Sequence, residues 1–339
     1  MLKRFFVFLL LIFIFILKAQ APSSYQVLWL GDLHYDEQVF HDQKKFKYTE
    51  RQLKNFRHYS KIWEIYTPPM LKVAKGDFLK NSQFVIQTGD LIQGDSSSAE
   101  EKEAHVKKGI EVVCKDIKVP FYHVRGNHDA RGEGGLDGYK KAIFPFINKQ
   151  LNQEVNSLNY KVFYGKDLYL FIDCIQLDNA WLEKNLADSA KYRWTFVVAH
   201  YPLVPPVTTT RWKFGNSAKN AKKLLDLFLE HNVILICGDA HKFEVVQYEK
   251  NGKKFTQLMA NSVMPTKWKD KKYSKQDIVK KLSERDKNAH LIKEYAVSYR
   301  AWDGAGFATL KIDDNRVTVN FYARKGYEAP KLSEVVRSK

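Results

Sequence analysis

The chain is 339 residues long, 45% hydrophobic and 14% aromatic, which excludes a disordered polymer and allows one large α/β domain or two modest ones. Three cysteines at spacings that match no zinc motif exclude a disulfide framework, and Cys114, Cys174 and Cys237 read as small buried hydrophobes. The net charge of +17 suits a phosphate-bearing small molecule, nucleic acid or an anionic membrane surface, and equally a plain solubilising surface.

In chain order the first element is a leader. Met1–Arg4 is basic, Phe5–Leu17 is an unbroken apolar run, and Ala19-Gln20-Ala21 offers a small-residue cleavage site. A membrane span needs about 20 apolar residues, so the run reads as a signal peptide over residues 1–21 and less well as an uncleaved anchor. The expectation is export to the periplasm or beyond the cell. No cysteine follows the run to carry a lipid. Lys3, Arg4 and Lys18 leave with the leader, so the mature chain remains strongly basic.

Residues 22–339 read as one domain with a core over about 25–325, because no Pro/Gly/Ser linker and no repeat divides them. Val27–Leu30, Phe84–Thr88, Phe121–Arg125, Leu168–Ile172, Thr195–Ala199 and Val233–Cys237 are apolar runs without polar alternation, the pattern of strands covered on both faces. Helical spacing fills Ala99–Ile117, Asn179–Tyr192 and Ser217–His231, with Ser217 as the N-cap of the last. Strands alternating with helices predict an α/β fold with ligands at the carboxyl ends of the strands. Beyond them, Phe243–Tyr248 and Lys254–Met259 flank Asn251-Gly252, and Phe307–Ile312 and Arg316–Tyr322 flank Asp313-Asp314-Asn315, which predicts two hairpins. Thr266–Lys287, dense in Lys and Asp, reads as a solvated helix or loop.

Polar phrases close the predicted strands. They are Gly31-Asp32-Leu33-His34, Gly89-Asp90, Gly126-Asn127-His128-Asp129 and Ala199-His200, followed by Gly238-Asp239-Ala240-His241. Asp, His and Asn are the side chains that hold hard or borderline metal ions. A phosphate ester resists attack because its oxygens are anionic and water is a poor nucleophile. Two divalent ions about 3.5–4 Å apart answer both difficulties, and holding them needs a shared carboxylate and several N/O ligands on rigid strand ends. The other histidines, His41, His58, His105, His123, His231 and His290, read as ordinary surface or core residues. Asp36 and Asp95 read as turn or capping residues.

These five phrases resemble the pattern of calcineurin-like metallophosphoesterases: D-x-H, G-D, G-N-H-[DE], a lone His, then G-H-x-H. The resemblance implies a four-layer α/β/β/α fold, two mixed β-sheets packed as a sandwich flanked by helices. It implies Asp32, His34 and His241 on one metal, Asp90 bridging, and Asn127, His200 and Asp239 on the other. The ions would be drawn from Mn, Mg, Fe or Zn. It implies a metal-bound hydroxide attacking a small phosphate mono- or diester, a nucleotide among the candidates. His128 would serve as general acid or as stabiliser of phosphoryl charge, and Asp129 would orient its ring. Arg131 follows closely enough to grip a phosphate oxygen.

Two positions depart from the pattern. Asp239 replaces a histidine, which adds a carboxylate and favours Mg²⁺, Mn²⁺ or ferric iron over zinc. The same change leaves open a phosphate- or nucleotide-binding relative whose second metal site is impaired. Gln93 stands where purple acid phosphatases carry an iron-binding Tyr, which argues against a tyrosinate–iron centre. Arg211-Trp212-Lys213-Phe214 mixes cations with aromatics after His200 and reads as a base-stacking loop, a cover or a hydrophobic latch.

Overall fold

The apolar runs pair into two mixed sheets. The computed structural model describes residues 23–41, 48–204, 214, 218–260, 272–273, 276, 294–302, 304–323, 330 and 332–338. In chain order the elements are β1 (Tyr25–Leu30), α1 (Glu50–Val73), β2 (Phe84–Gln87), α2 (Ala99–Cys114), β3 (Phe121–His123), α3 (Gly135–Leu151), β4 (Tyr160–Tyr164), β5 (Asp167–Phe171), α4 (Asn179–Leu186), β6 (Thr195–Val198), α5 (Ala218–Glu230), β7 (Ile234–Cys237), β8 (Phe243–Lys250), β9 (Lys253–Met259), β10 (Lys272–Tyr273), β11 (Ala296–Trp302), β12 (Gly306–Ile312), β13 (Arg316–Ala323) and β14 (Leu332–Ser338).

The first sheet runs β14-β13-β12-β1-β2-β3 and the second β10-β11-β8-β9-β7-β6-β5-β4. Strands β1, β2 and β3 are parallel, as are β5, β6, β7 and β9, so their carboxyl ends gather along common edges. Both sheets carry antiparallel hairpins on their flanks, including the two predicted ones. Asn251 and Gly252 turn the first with φ of 52° and 74°, and Asp313 Oδ1 ties the second by accepting from Asn315 N and Arg316 N.

Side-chain alternation shows why four layers form. Along β6 and the residue after it, Phe196 and Val198 join the core with Trp29, Phe84 and Phe321 of the first sheet, whereas Val197 and Ala199 meet Leu182, Leu225 and Phe228 of α4 and α5. Trp63, Met70, Val106, Tyr139 and Ile143 bring α1, α2 and α3 into the first core. Each such burial contributes about 1.5–3 kcal/mol. The sandwich expected from the resemblance is therefore observed.

The strand ends agree with the sequence reading to within a residue or two, and the helices less closely. The second predicted helix, Asn179–Tyr192, is α4, which stops at Leu186 and is followed by a single 3₁₀ turn over Ser189–Lys191. Two long helices went unpredicted. α1 begins at a capping box, Thr49 Oγ1 accepting from Gln52 N, and continues through Pro68 and Pro69. α3 starts after Gly134 in the left-handed region and contains Pro145. Proline reads as a breaker in sequence; here the surrounding packing overrides it. The leader, Ser217, His290, Thr266–Lys287 except Lys272, Tyr273 and Gln276, and Arg211–Lys213 lie outside the described residues; Phe214 is fully buried.

Candidate metal centre

All five phrases meet at one edge of the sandwich. Asp32, His34, Asp90, Asn127 and His128 follow β1, β2 and β3 of the first sheet, and His200, Asp239 and His241 follow β6 and β7 of the second. Four of these residues, His34, Asp90, Asp239 and His241, have φ of 49°, 52°, 69° and 51°. Non-glycine residues in this region carry strain of about 1–3 kcal/mol each, a conformation retained where the surroundings enforce it. Gly126 is needed for a close approach: a Cβ there would stand 2.1 Å from Asp90 Oδ1.

Asp32, His34 and His241 place one donor atom each within 4.8 Å of one another, as do His34, Asp90 and His128. His34 Nε2 lies 3.1 Å from His241 Nε2, which lies 3.1 Å from Asp32 Oδ2. Asp90 Oδ2 stands 3.8 Å from His34 Nε2 and 3.4 Å from His200 Nε2. Its carboxylate therefore sits between the two groups. His200 Nε2 is also 3.2 Å from Asn127 Oδ1 and 3.8 Å from Asp239 Oδ1. Asp239 donates its backbone N–H to Asp32 Oδ2 at 3.0 Å.

The tautomers test whether this donor set fits cations. His200 Nδ1 is 2.8 Å from the carbonyl of Thr88, so a neutral ring donates there and turns the Nε2 lone pair toward Asp90 and Asn127 oxygens. Lone pairs converging on lone pairs repel unless positive charge lies between them. A proton fills that need when no cation does. Burial opposes charging His200, yet the Asp90 carboxylate holds its pKa up at about 10. Burial likewise opposes charging His241, and Asp32 raises it nonetheless. Burial works against an ionised Asp90 and is overcome by His200 and His128. The set fits divalent cations, with O- and N-donors on both sides of one carboxylate.

His128 is differently placed. Its Nδ1 donates to the carbonyl of Gln93 at 2.7 Å, and its backbone N–H to Asp90 Oδ1 at 2.8 Å. Burial lowers its pKa to about 4, so the ring is neutral at pH 7. Its Nε2 accepts from Arg131 Nη1 at 3.1 Å. Arg131 is in turn gripped by Asp95, Nε to Oδ1 at 2.6 Å and Nη2 to Oδ2. Asp95, read from sequence as a turn or capping residue, is thus the anchor of Arg131 at the site mouth.

Asp129 departs from its expected role. Its carboxylate does not touch the His128 ring. It accepts from Gly126 N at 2.7 Å, Asp90 N at 2.9 Å and Ile92 N at 3.1 Å, clamping the backbone of the β2 and β3 loops together. The ring of His128 is held by the Gln93 carbonyl, which leaves no position for a carboxylate at Nδ1. Burial, then Asp90, raises the Asp129 pKa to about 7.

Two further residues escaped sequence reasoning. Lys102, fully buried on α2, reaches the His128 carbonyl at 3.4 Å, and burial lowers its pKa to about 8. Nothing in its Lys-rich helix marks it. Tyr59 on α1 lays its ring 5.1 Å from that of His34 and 6.4 Å from that of His128. It is half-buried over the donor cluster. Recognising α1 as a helix would have been the only signal for it.

Sheet order and donor cluster together define a metallophosphoesterase sandwich. The sequence model of the calcineurin-like phosphoesterase family matches residues 25–243, and the chain belongs to that family. It is 28% identical over 170 residues to the 3',5'-cyclic adenosine monophosphate phosphodiesterase CpdA of Escherichia coli, covering 47% of this chain and 54% of that one. The chain thus spans about half the length of the curated relatives it matches. Among solved structures it is similar to purple acid phosphatase PPD1 of yellow lupin, with a TM-score of 0.55, 13% identity, and coverage of 89% of this chain and 52% of that one. It is also similar to GAP50 of Plasmodium, with a TM-score of 0.53, 15% identity, and coverage of 94% and 90%. At these identities the two structures share the fold.

Proposed function

We propose that this metal-dependent phosphoesterase is exported and hydrolyses a small phosphate ester at a dinuclear centre. The observation that carries the proposal is the placement of Asp90 Oδ2 between His34 Nε2 and His200 Nε2, each flanked by its own donors. Asp32, His34 and His241 would hold one ion, Asn127, His200 and Asp239 the other, and Asp90 both. Divalent ions, when bound, supply Lewis acidity toward the phosphoryl oxygens and acidify water to a nucleophile at neutral pH.

The chain's own residues do the rest. The Thr88 carbonyl fixes the His200 tautomer. Asp129 holds the Asp90 backbone where its side chain can be shared. Arg131, braced by Asp95 and by the His128 ring, presents its guanidinium where it can receive the charge that builds on the phosphoryl group. The neutral ring, its one N–H spent on the Gln93 carbonyl, has no proton to donate and serves to orient Arg131. Asp239 makes three carboxylates in all, which favours Mn²⁺, Mg²⁺ or iron over zinc. The leader sequence supports export.

Purified protein with Mn²⁺, Mg²⁺ or Zn²⁺ should hydrolyse p-nitrophenyl phosphate or its bis ester, and the ratio reports monoester against diester preference. The printed activity of CpdA makes 3',5'-cyclic AMP a third substrate to assay. Silence on all three with metal still bound would overturn the proposal in favour of a binding protein. Processing after Ala21, read by mass spectrometry of fractionated cells, tests export.

A further inference from the structure

Arg337 on β14 is 7% exposed, yet it meets no carboxylate among the described residues. Its Nη2 donates to the carbonyls of Val233 at 3.3 Å and Lys254 at 3.1 Å, and to Thr256 Oγ1 at 3.1 Å, all neutral. Its Nε is buried without an acceptor, and Nη1 has none among the described residues. A guanidinium carries five N–H donors, and a buried charge without a counter-ion is costly. Burial lowers its pKa to about 10, in keeping with that imbalance.

A cavity of about 460 Å³ opens beside Arg337, next to Thr195 at the start of β6 and Asn232 just before β7. It lies at the end of the sandwich away from the metal centre. Lys253 and Lys254 line it with both side chains exposed, and Glu230 is the one carboxylate among its lining residues. Asn232 Oδ1 accepts from Lys254 N at 3.0 Å, which leaves its amide N–H groups for another acceptor. The guanidinium of Arg193, also in the lining, is already engaged by Asp167 and Asp314. Cationic donors therefore outnumber anions around a concave space.

We propose that this cavity is a second site, for a small free phosphate-bearing anion held by Arg337, Lys253 and Lys254. The Nη1 group of Arg337 offers a charged donor, and two lysines beside it match a dianion's charge. The concave shape favours a free ligand over a lipid headgroup on a flat surface.

The test is calorimetry of the metal-loaded full chain with inorganic phosphate and pyrophosphate. Two classes of binding should appear, and Lys253→Glu/Lys254→Glu should weaken one of them about tenfold or more. The same variant should keep turnover of p-nitrophenyl phosphate within about twofold, since neither lysine is near the metal centre. Arg337→Gln should lose the same class. Should that variant fail to fold, the lysine pair, being exposed, still decides. One binding class, unchanged in the lysine variant, would overturn the proposal. So would association only with phosphatidic acid vesicles and not with free phosphate.

Discussion

Asp239 is the residue whose chemistry most distinguishes this centre. It stands where the family pattern has a histidine, and its carboxylate Oδ1 is 3.8 Å from His200 Nε2. Asp239→His should shift preference toward Zn²⁺ and lower the pH optimum, read by metal content and pH–rate profile; no change in either would sink the idea. Tyr59→Phe keeps the ring over His34 and removes only the hydroxyl, so a drop in kcat/KM of about five- to tenfold is expected, at unchanged Tm, if that hydroxyl meets the substrate. Glu244, three residues beyond His241, gives the stability a pH dependence. Burial raises Glu244 from 4.5 to about 8, so between those values the fold keeps a proton that the unfolded chain has lost. Its contribution is complete below pH 4.5 and disappears as pH rises through 8, at up to about 1.4 kcal/mol per pH unit. Glu244→Gln should flatten this stretch of the stability curve, measured by urea unfolding from pH 5 to 8; an unchanged slope would refute it. At this scale the sequence was readable wherever side-chain type and strand-end position coincided, as at Asp32 and His200. It was opaque for Lys102, Asp95 and Tyr59, because a buried lysine, a turn aspartate and a helical tyrosine look in sequence like their ordinary counterparts.

Among the elements, the loops after β2 and β3 carry the tightest demands. Gly94 has φ of 76°, and a Cβ there would lie 2.0 Å from the carbonyl oxygen of His128. Gly94→Ala must push that loop away, carrying His128 and Arg131 with it. A loss of activity beyond about tenfold and destabilisation of about 1–3 kcal/mol are expected, since both the left-handed conformation and the contact are violated. Wild-type kinetics in this variant would show the loop to be slack. Strands β1, β2, β5, β6 and β7 were legible because burial on both faces writes a continuous apolar run. The helix α1 was not, since its prolines signal termination while the packing of Phe56, Trp63 and Met70 supplies the opposite instruction. Helix α3 was hidden in the same way by Gly134 and Pro145.

Across the whole molecule, the donors come from two separate sheets. Ions shared between them would act as a cross-link, so chelation should lower Tm as well as activity. Ligand at a hundredfold its Kd contributes about 2.7 kcal/mol, which corresponds to several degrees for a domain of this size. Differential scanning calorimetry with and without EDTA checks this, and Asp90→Asn should abolish most of the difference; an equal EDTA effect in that variant would place the stabilising ion elsewhere. The sandwich itself was foreseeable from motif order, whereas the pairing of β11 and β14 was not, because neither strand bears a motif or a turn signal. At the opposite end, Arg193 Nη1 donates to the carbonyl of Ser23 at 2.6 Å while its fork holds Asp167. The six residues of β1 then separate that clasp from Asp32 by about 20 Å, at roughly 3.3 Å of rise per residue. Anything joined ahead of Ser23 consequently leaves the body at the pole remote from the catalytic mouth. A chain tethered there to a bead, a fusion partner or a bilayer would hold its mouth outward, open to whatever diffuses past.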